Sequence, residues 1–274
     1  MLKPQDFFDL QEYDHKGIFS EDKGVWTALD RLQEYLASFF QKAWPLSAIT
    51  GQIDTPLVIY KGEVRDDLEV KTTSAKGQVQ VYLKGELVKD AAVIFPGAYL
   101  FDDRIIIGSG TVVEPGALIK GPVIIGKNAE VRQGAYVRGD CLIGNECVVG
   151  HTTEIKSSIM LDGAKAGHFA YIGDSILGKG VNLGAGTKLA NLKMIPESIV
   201  VTAGSTRYKT GRHKLGAILG DHTETGCNSV TSPGTLMGPH SFVYPGVSVP
   251  GKYYPGRTII MHSEGSLIIR GPKL

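Results

Sequence analysis

Two stretches near the middle of the chain gather side chains that move protons, bind anions and hydrogen-bond hydroxyls. One is Lys165-Ala-Gly-His168-Phe-Ala-Tyr171-Ile-Gly-Asp174; the other is Val181-Asn182-Leu-Gly-Ala185-Gly-Thr187, followed by Ala190-Asn191. Imidazole is the side chain whose ordinary pKa lies nearest neutrality, which suits it to take or give a proton. Tyrosine hydroxyls and asparagine amides offer donors and acceptors to a hydroxyl-rich ligand. Glu154 and Lys156 stand a short way upstream, where they either join the site or form a ladder salt bridge on an outer face. A lone histidine is more often a satisfied polar group than a base, so the weight rests on the company His168 keeps. His15, His222, His240 and His262 lack such company and are assigned to surface or turns.

Those residues need a scaffold, and the aliphatic spacing supplies one. Ile107, Val113, Ile119, Ile125, Val131, Val137, Ile143, Val149, Ile155 and Leu161 follow one another at six-residue intervals, and the beat returns from Leu219 to Val249. Neither a helix nor a lone strand repeats at six. Hexapeptide repeats mark a parallel β-helix, so an all-β solenoid with a helical N-terminal segment is expected. Three hexads make one triangular coil, and coils stack at roughly 4.8 Å. Asn182 and Asn191 then lie within about a coil of His168, with Glu154 and Lys156 approaching from the coil below. The 35 glycines suit a fold that turns a corner every few residues. The beat breaks between Gly167 and Gly173, resumes in shifted phase at Leu177, Leu183 and Leu189, and is lost from Leu192 to His213. Lys193 to Lys214 therefore reads as a loop leaving the rod and as its leading mobile element.

Val25, Leu29, Leu32, Leu36, Phe39 and Phe40 form one helical stripe with Ser20 placed to cap it, so residues 1–50 are expected to form an arm that lids or packs the end of the rod. Residues 51–104 hold irregular strands, either imperfect first coils or a small sheet; 105–261 form the rod and 262–274 a tail. A formal charge of +1 gives no long-range pull on nucleic acid or an anionic membrane, so any anion must be held by local Arg and Lys. Cys141, Cys147 and Cys227 include no C-x-x-C pair, and disulfide or metal use is not expected. No stretch reads as a signal peptide or a membrane span, and a cytoplasmic protein is expected.

From Arg138 onward the chain carries E-x-K at Glu154 and Lys156, K-A-G-H-x-x-Y-x-G-D from Lys165 to Asp174, V-N-x-G-A-G-T from Val181 to Thr187, and then Asn191. This pattern resembles the acetyltransferase domain of the bifunctional glucosamine-1-phosphate acetyltransferase and UDP-N-acetylglucosamine pyrophosphorylase family. Thr210-Gly-Arg-His-Lys214 through Asp221 further resembles its archaeal-type sugar-phosphate branch. The resemblance covers roughly residues 105 to 250. It implies a left-handed parallel β-helix, a homotrimer with sites between protomers, and acetyl transfer from acetyl-CoA to the amine of glucosamine 1-phosphate or galactosamine 1-phosphate for sugar-nucleotide synthesis. It also implies that His168 and Asn191 are catalytic, His168 as the base that deprotonates the substrate ammonium. Arg138, Lys156, Tyr171, Asn182 and Lys214 would bind the substrate, Arg by its forked donors and Lys as a point charge. Ala185, Cys227 and Pro245 would line acetyl-CoA, with backbone N–H groups near Ala185 steadying the oxyanion; no metal is required.

The chain departs from that pattern in three places. A long insertion opens after Asn191 where the bacterial branch has a short lysine-bearing loop; Lys193, Lys209 and Lys214 are the stand-ins, with Lys214 best spaced from Gly220-Asp221. Cys227 and Pro245 stand where small or hydroxyl residues are usual. The pyrophosphorylase half's G-x-G-T-R loop has no counterpart in residues 1–100, so no pyrophosphorylase activity is expected and a separate nucleotidyltransferase is the expected partner. The altered loop also motivates an alternative, a non-catalytic trimeric sugar-phosphate-binding or assembly protein. Val137-Arg-Gly-Asp140 suggests a zinc-type carbonic anhydrase, but no third closely spaced histidine joins His151 and His168.

Overall fold

The computed structural model describes residues 1–41, 44–72, 79–263 and 265–271. Each aliphatic beat becomes a short strand with one or two side chains turned into the rod, and each strand pairs in parallel with its counterpart one coil on. Three faces result. The first includes Ala92–Ile94, Val148–His151, Lys165–His168, Asn182–Leu183 and Phe242–Val243; the second includes Tyr136–Arg138, Glu154–Lys156, Tyr171–Gly173, Lys188–Leu189 and Val230–Thr231. The third includes Val123–Ile125, Cys141–Ile143, Ser158–Met160, Ile176–Leu177 and Ala217–Leu219. The molecule is the parallel β-helix that its period predicts.

The parallel stack begins at Ala92, earlier than residue 105, because Ala92–Ile94 already pairs in parallel with Val112–Val113. Upstream, Leu57–Tyr60 pairs antiparallel with Ala92–Ile94, and Leu68–Thr72, Val79–Leu83 and Glu86–Val88 form a separate antiparallel sheet. At the far end Ile259–Ser263 and Ser266–Arg270 close the stack as an antiparallel hairpin instead of trailing off as a tail. Both ends thus cover strand edges that would otherwise offer unpaired N–H and C=O groups.

Ile107 through Ile155 fill the interior as the beat requires, but Leu161 does not: Met160 points inward, and Leu161 packs on the outside of the third face. The cause is a short corner. Tyr136 pairs with Glu154, 18 residues on, whereas Cys141 pairs with Ser158, 17 on. The register therefore slips at Ser157, ahead of the Gly167–Gly173 break, and the vertical neighbours His151 and His168 are 17 apart. Glycine follows many beats because the coils leave no room there. A Cβ on Gly126 would lie 2.6 Å from backbone atoms of Gly144 and Asn145 in the next coil. Gly126→Ala is expected to lower unfolding stability by about 1–3 kcal/mol, read as a lower urea midpoint; an unchanged midpoint would contradict this packing.

The third face is apolar on both sides, as in Val123-Ile124-Ile125 and Cys141-Leu142-Ile143, because the N-terminal arm lies on it. Helix α1, Ala28–Phe39, buries Leu29, Leu32 and Leu36 in a cluster with Ile124, Leu142, Ile159, Ile176 and Leu236. Helix α1 therefore packs along the side of the rod, while Leu46 of the same arm joins the interior cluster with Trp44 and Ile49 packed against it. Thr27 is the N-cap of α1; Ser20 instead accepts a hydrogen bond from Arg31 at 3.0 Å. The insertion after Asn191 is a hairpin, Val200–Ala203 with Thr206–Lys209. Ile199 and Val201 are fully buried in the arm's cluster, and the Tyr208 ring lies 6.3 Å from that of Trp26. The insertion is thus a hairpin packed back on the arm and not an irregular loop; Leu192, Met194 and Ile195 on its outgoing limb are exposed. Among the described residues no helix is long and apolar enough to cross a membrane.

Candidate active site

The chain leaves the first face at His168 and enters the second at Tyr171, turning through Phe169 and Ala170. Phe169 has φ +51, a left-handed conformation unusual for a bulky side chain, and its ring stands edge-on to His151 at 5.3 Å and tilted against His168 at 6.2 Å. The equivalent corner residues Thr152 below and Asn228 above have φ +52 and +57, so the turn between these two faces requires this conformation. His151, one coil below, meets the Gln133 carbonyl through Nδ1 at 2.9 Å. His168 is exposed at the corner.

A column of corner residues rises from His168. The Gly186 N–H donates to the His168 carbonyl at 2.9 Å, the Asn228 N–H to the Ala185 carbonyl at 2.8 Å, and the Gly246 N–H to the Cys227 carbonyl at 2.8 Å. These bonds stack His168, Ala185, Cys227 and Pro245 in successive coils, so the candidate base and all three candidate cofactor residues share one ridge. At roughly 4.8 Å per coil the ridge runs about 14 Å from His168 to Pro245. Ala185 is half-exposed one coil above His168, and its N–H donates to no backbone acceptor among the described residues. Beside the upper end of the ridge opens a groove of about 220 Å³ lined by Gly226, Phe242, Tyr244 and Pro245, among others. Lys188 crosses the corner, its Nζ donating to the carbonyls of Phe169 at 3.0 Å and Gly186 at 2.7 Å. Sequence reading missed it, because a lysine on an outward strand position has the same signature as a solvated surface charge.

The second group of candidates meets at the opposite edge of the second face. Asp174 is buried in the turn after Tyr171–Gly173, and its Oδ2 accepts from Asn191 Nδ2 at 2.6 Å and pairs with Lys156 Nζ at 3.1 Å. The Tyr171 hydroxyl donates to Asn191 Oδ1 at 3.4 Å, and burial pushes the Tyr171 pKa up, which keeps that hydroxyl protonated. Arg138, in the coil below, pairs with Glu154 at 2.6 Å, and this hydrogen bond holds its guanidinium above the ordinary range. Glu154 and Lys156 therefore form no ladder salt bridge with each other; each takes its partner from an adjacent coil.

Asn182 stands apart from this cluster, whereas Lys214 borders it, the N–H of the next residue, Leu215, donating to the Asn191 carbonyl at 3.0 Å. Asn182 pairs with Lys165 at the other edge of the first face, and Lys214 is exposed at the foot of the hairpin with its backbone bridged to Leu192. The cation that the insertion does bring to the cluster is Arg212, whose Nη2 lies 3.6 Å from Asp174 Oδ1 and whose Nη1 pairs with Asp30 of α1. It lies between the lysines that spacing singled out, and only the fold of the hairpin reveals its reach. Cys141 and Cys147 are interior residues whose thiols burial pushes up to about 12, whereas Cys227 is exposed on the ridge.

Residues 119–224 match the GMPPB C-terminal domain family. The chain is 40% identical over 101 residues to a bifunctional sugar-1-phosphate nucleotidylyltransferase/acetyltransferase of Sulfurisphaera tokodaii, covering 37% of this chain and 25% of that one. It is 35% identical over 182 residues to the bifunctional protein GlmU of Methanococcus aeolicus, covering 66% and 42%. A UDP-N-acetylglucosamine acyltransferase from Campylobacter jejuni of known structure matches at 17% identity over 65% of this chain and 73% of its own, with a TM-score of 0.36. The C-terminal part of the chain is homologous to the two bifunctional proteins, of whose length the matches span a quarter to about two fifths.

Proposed function

We propose that this chain is an N-acetyltransferase that moves an acetyl group from acetyl-CoA to the amine of an amino-sugar 1-phosphate, glucosamine 1-phosphate or galactosamine 1-phosphate, for sugar-nucleotide synthesis. The observation that carries the reading is the ridge, with an exposed imidazole at its foot and, one coil above, an Ala185 N–H that has no backbone acceptor among the described residues. The extended arm of acetyl-CoA runs down past Pro245 and Cys227 and delivers its thioester at Ala185. His168 takes the proton from the substrate ammonium, and the freed amine attacks the thioester carbon. The Ala185 N–H stabilises the resulting oxyanion, which collapses to the amide and expels the CoA thiolate, and the thiolate takes up a proton.

The width of the second face fits the other half of the reaction. Tyr171 to Gly173 spans about 7 Å at 3.3 Å per residue, so a sugar lying across it presents its amine to His168 and its phosphate to the far edge. Lys156 and Arg138 meet the phosphate there, and Tyr171 and Asn191 meet the hydroxyls or the acyl carbonyl. Asn182 joins this site from a neighbouring protomer of a homotrimer, and Lys214 approaches it from within the chain, beside Asn191. A separate nucleotidyltransferase would consume the product.

The test is incubation with acetyl-CoA and each amino-sugar 1-phosphate while thiol release is followed. Release that depends on the amino sugar supports the reading. No release with retained sugar-phosphate binding overturns it in favour of a binding protein, a second reading suggested by the pairing of Arg138 and Lys156 with carboxylates. Because Cys227 is the exposed cysteine, a maleimide should modify it alone, reduce turnover by at least about tenfold and be held off by acetyl-CoA. Full activity after complete labelling would remove Cys227 from the groove.

A further inference from the structure

We infer that Arg212 is a positioning residue for the sugar-phosphate half of the site: as the standing counter-ion of Asp174, it lets Lys156 leave that carboxylate for the substrate phosphate while Asn191 stays fixed. The inference rests on the phosphate assignment proposed above.

The Asp174 side chain is 7% exposed, and a carboxylate so placed needs a compensating charge. Its oxygens divide the work. Oδ2 serves Asn191 and Lys156, and Oδ1 faces Arg212. Lys156 carries one compact charge and cannot hold a buried carboxylate and a phosphate at full strength together. Were it the sole cation on Asp174, moving it to substrate would strip the carboxylate of its partner and release the Asn191 amide with it. Arg212 removes that conflict because its fork spans two carboxylates.

Arg212 is also built into its place. Its side chain is 16% exposed, Nε donates to the Lys214 carbonyl at 3.0 Å, Nη1 pairs with Asp30 on α1, and its backbone N–H donates to Thr210 Oγ1 at 3.1 Å. The arm, the hairpin and two coils of the rod thus converge on one carboxylate. The hairpin supplies a charge to the site as well as covering the rod.

The experiment compares wild type, Arg212→Ala, Arg212→Lys and Asp30→Asn below the melting temperature of each. KM is measured for glucosamine 1-phosphate and for acetyl-CoA, and the affinity for glucosamine 1-phosphate by calorimetry. Arg212→Ala should raise the sugar-phosphate KM and Kd by about tenfold or more and leave the acetyl-CoA KM within about twofold. Arg212→Lys should recover part of the loss, and Asp30→Asn should show a smaller shift of the same sign. A merely structural arginine would lower melting temperature without splitting the two KM values. A wild-type sugar-phosphate KM in Arg212→Ala, or an equal rise in both KM values, overturns the inference and leaves the acetyltransferase reading standing. If Arg212→Ala does not fold, wild-type constants in both Arg212→Lys and Asp30→Asn overturn it. A wild-type protein that neither binds nor acetylates the sugar phosphate brings down the proposed function, and this inference with it.

Discussion

Replacing His168 by alanine is expected to reduce acetyl transfer by about 10²–10⁴-fold, the range lost when a positioned base is removed. The fold should not suffer. The side chain is exposed, and the column at this corner is held by the backbone bond from Gly186 to the His168 carbonyl, which alanine keeps. The KM for acetyl-CoA should stay near wild type, because the ridge above position 168 is untouched. Steady-state kinetics would check both points; a variant with the wild-type rate would assign the proton transfer elsewhere.

Asp174→Ala is expected to cost about 3 kcal/mol of stability, near the lower end for breaking a buried ion pair. Two cations lose a partner, and the Asn191 amide loses its 2.6 Å acceptor. Arg212 keeps Asp30, and Lys156 is partly solvated, which is why the cost should not exceed that range. Asp174→Asn retains one acceptor and should fall between the two proteins. Urea unfolding monitored by circular dichroism would rank the three; coincident midpoints would show that the cluster carries no stability. Turnover should fall in both variants, because Tyr171, Asn191 and Lys156 meet around this carboxylate.

The rod was legible because its narrow interior admits an aliphatic side chain at nearly every sixth residue, a demand that few other folds make. The slip at Ser157 was not legible. Losing one residue there puts Leu161 on the outer wall, yet the arm covering that wall also calls for leucine, so the beat continued one position past the interior. Paired apolar residues such as Ile124-Ile125 and Leu142-Ile143 held the clue, since apolar positions of both parities mark a strand covered on both sides. In the candidate site, His168 through Asp174 and Asn191 could be singled out because they lie in short continuous stretches. Arg212 reaches the same carboxylate only after a hairpin folds back onto the arm, and no local pattern encodes that path. The packing of the insertion was illegible for the same reason: Ile199 and Val201 are buried by residues far away in the chain.

The claim on which the account turns is that the corner ridge receives the acyl donor with its thioester at the imidazole. A crystal structure of the protein soaked with acetyl-CoA tests it most directly. The account predicts the cofactor's arm along Pro245 and Cys227, the thioester oxygen within hydrogen-bond reach of the Ala185 N–H, and the His168 ring facing the acyl carbon. Acetyl-CoA bound on another face, or on the ridge with its thioester turned away from position 168, would contradict it.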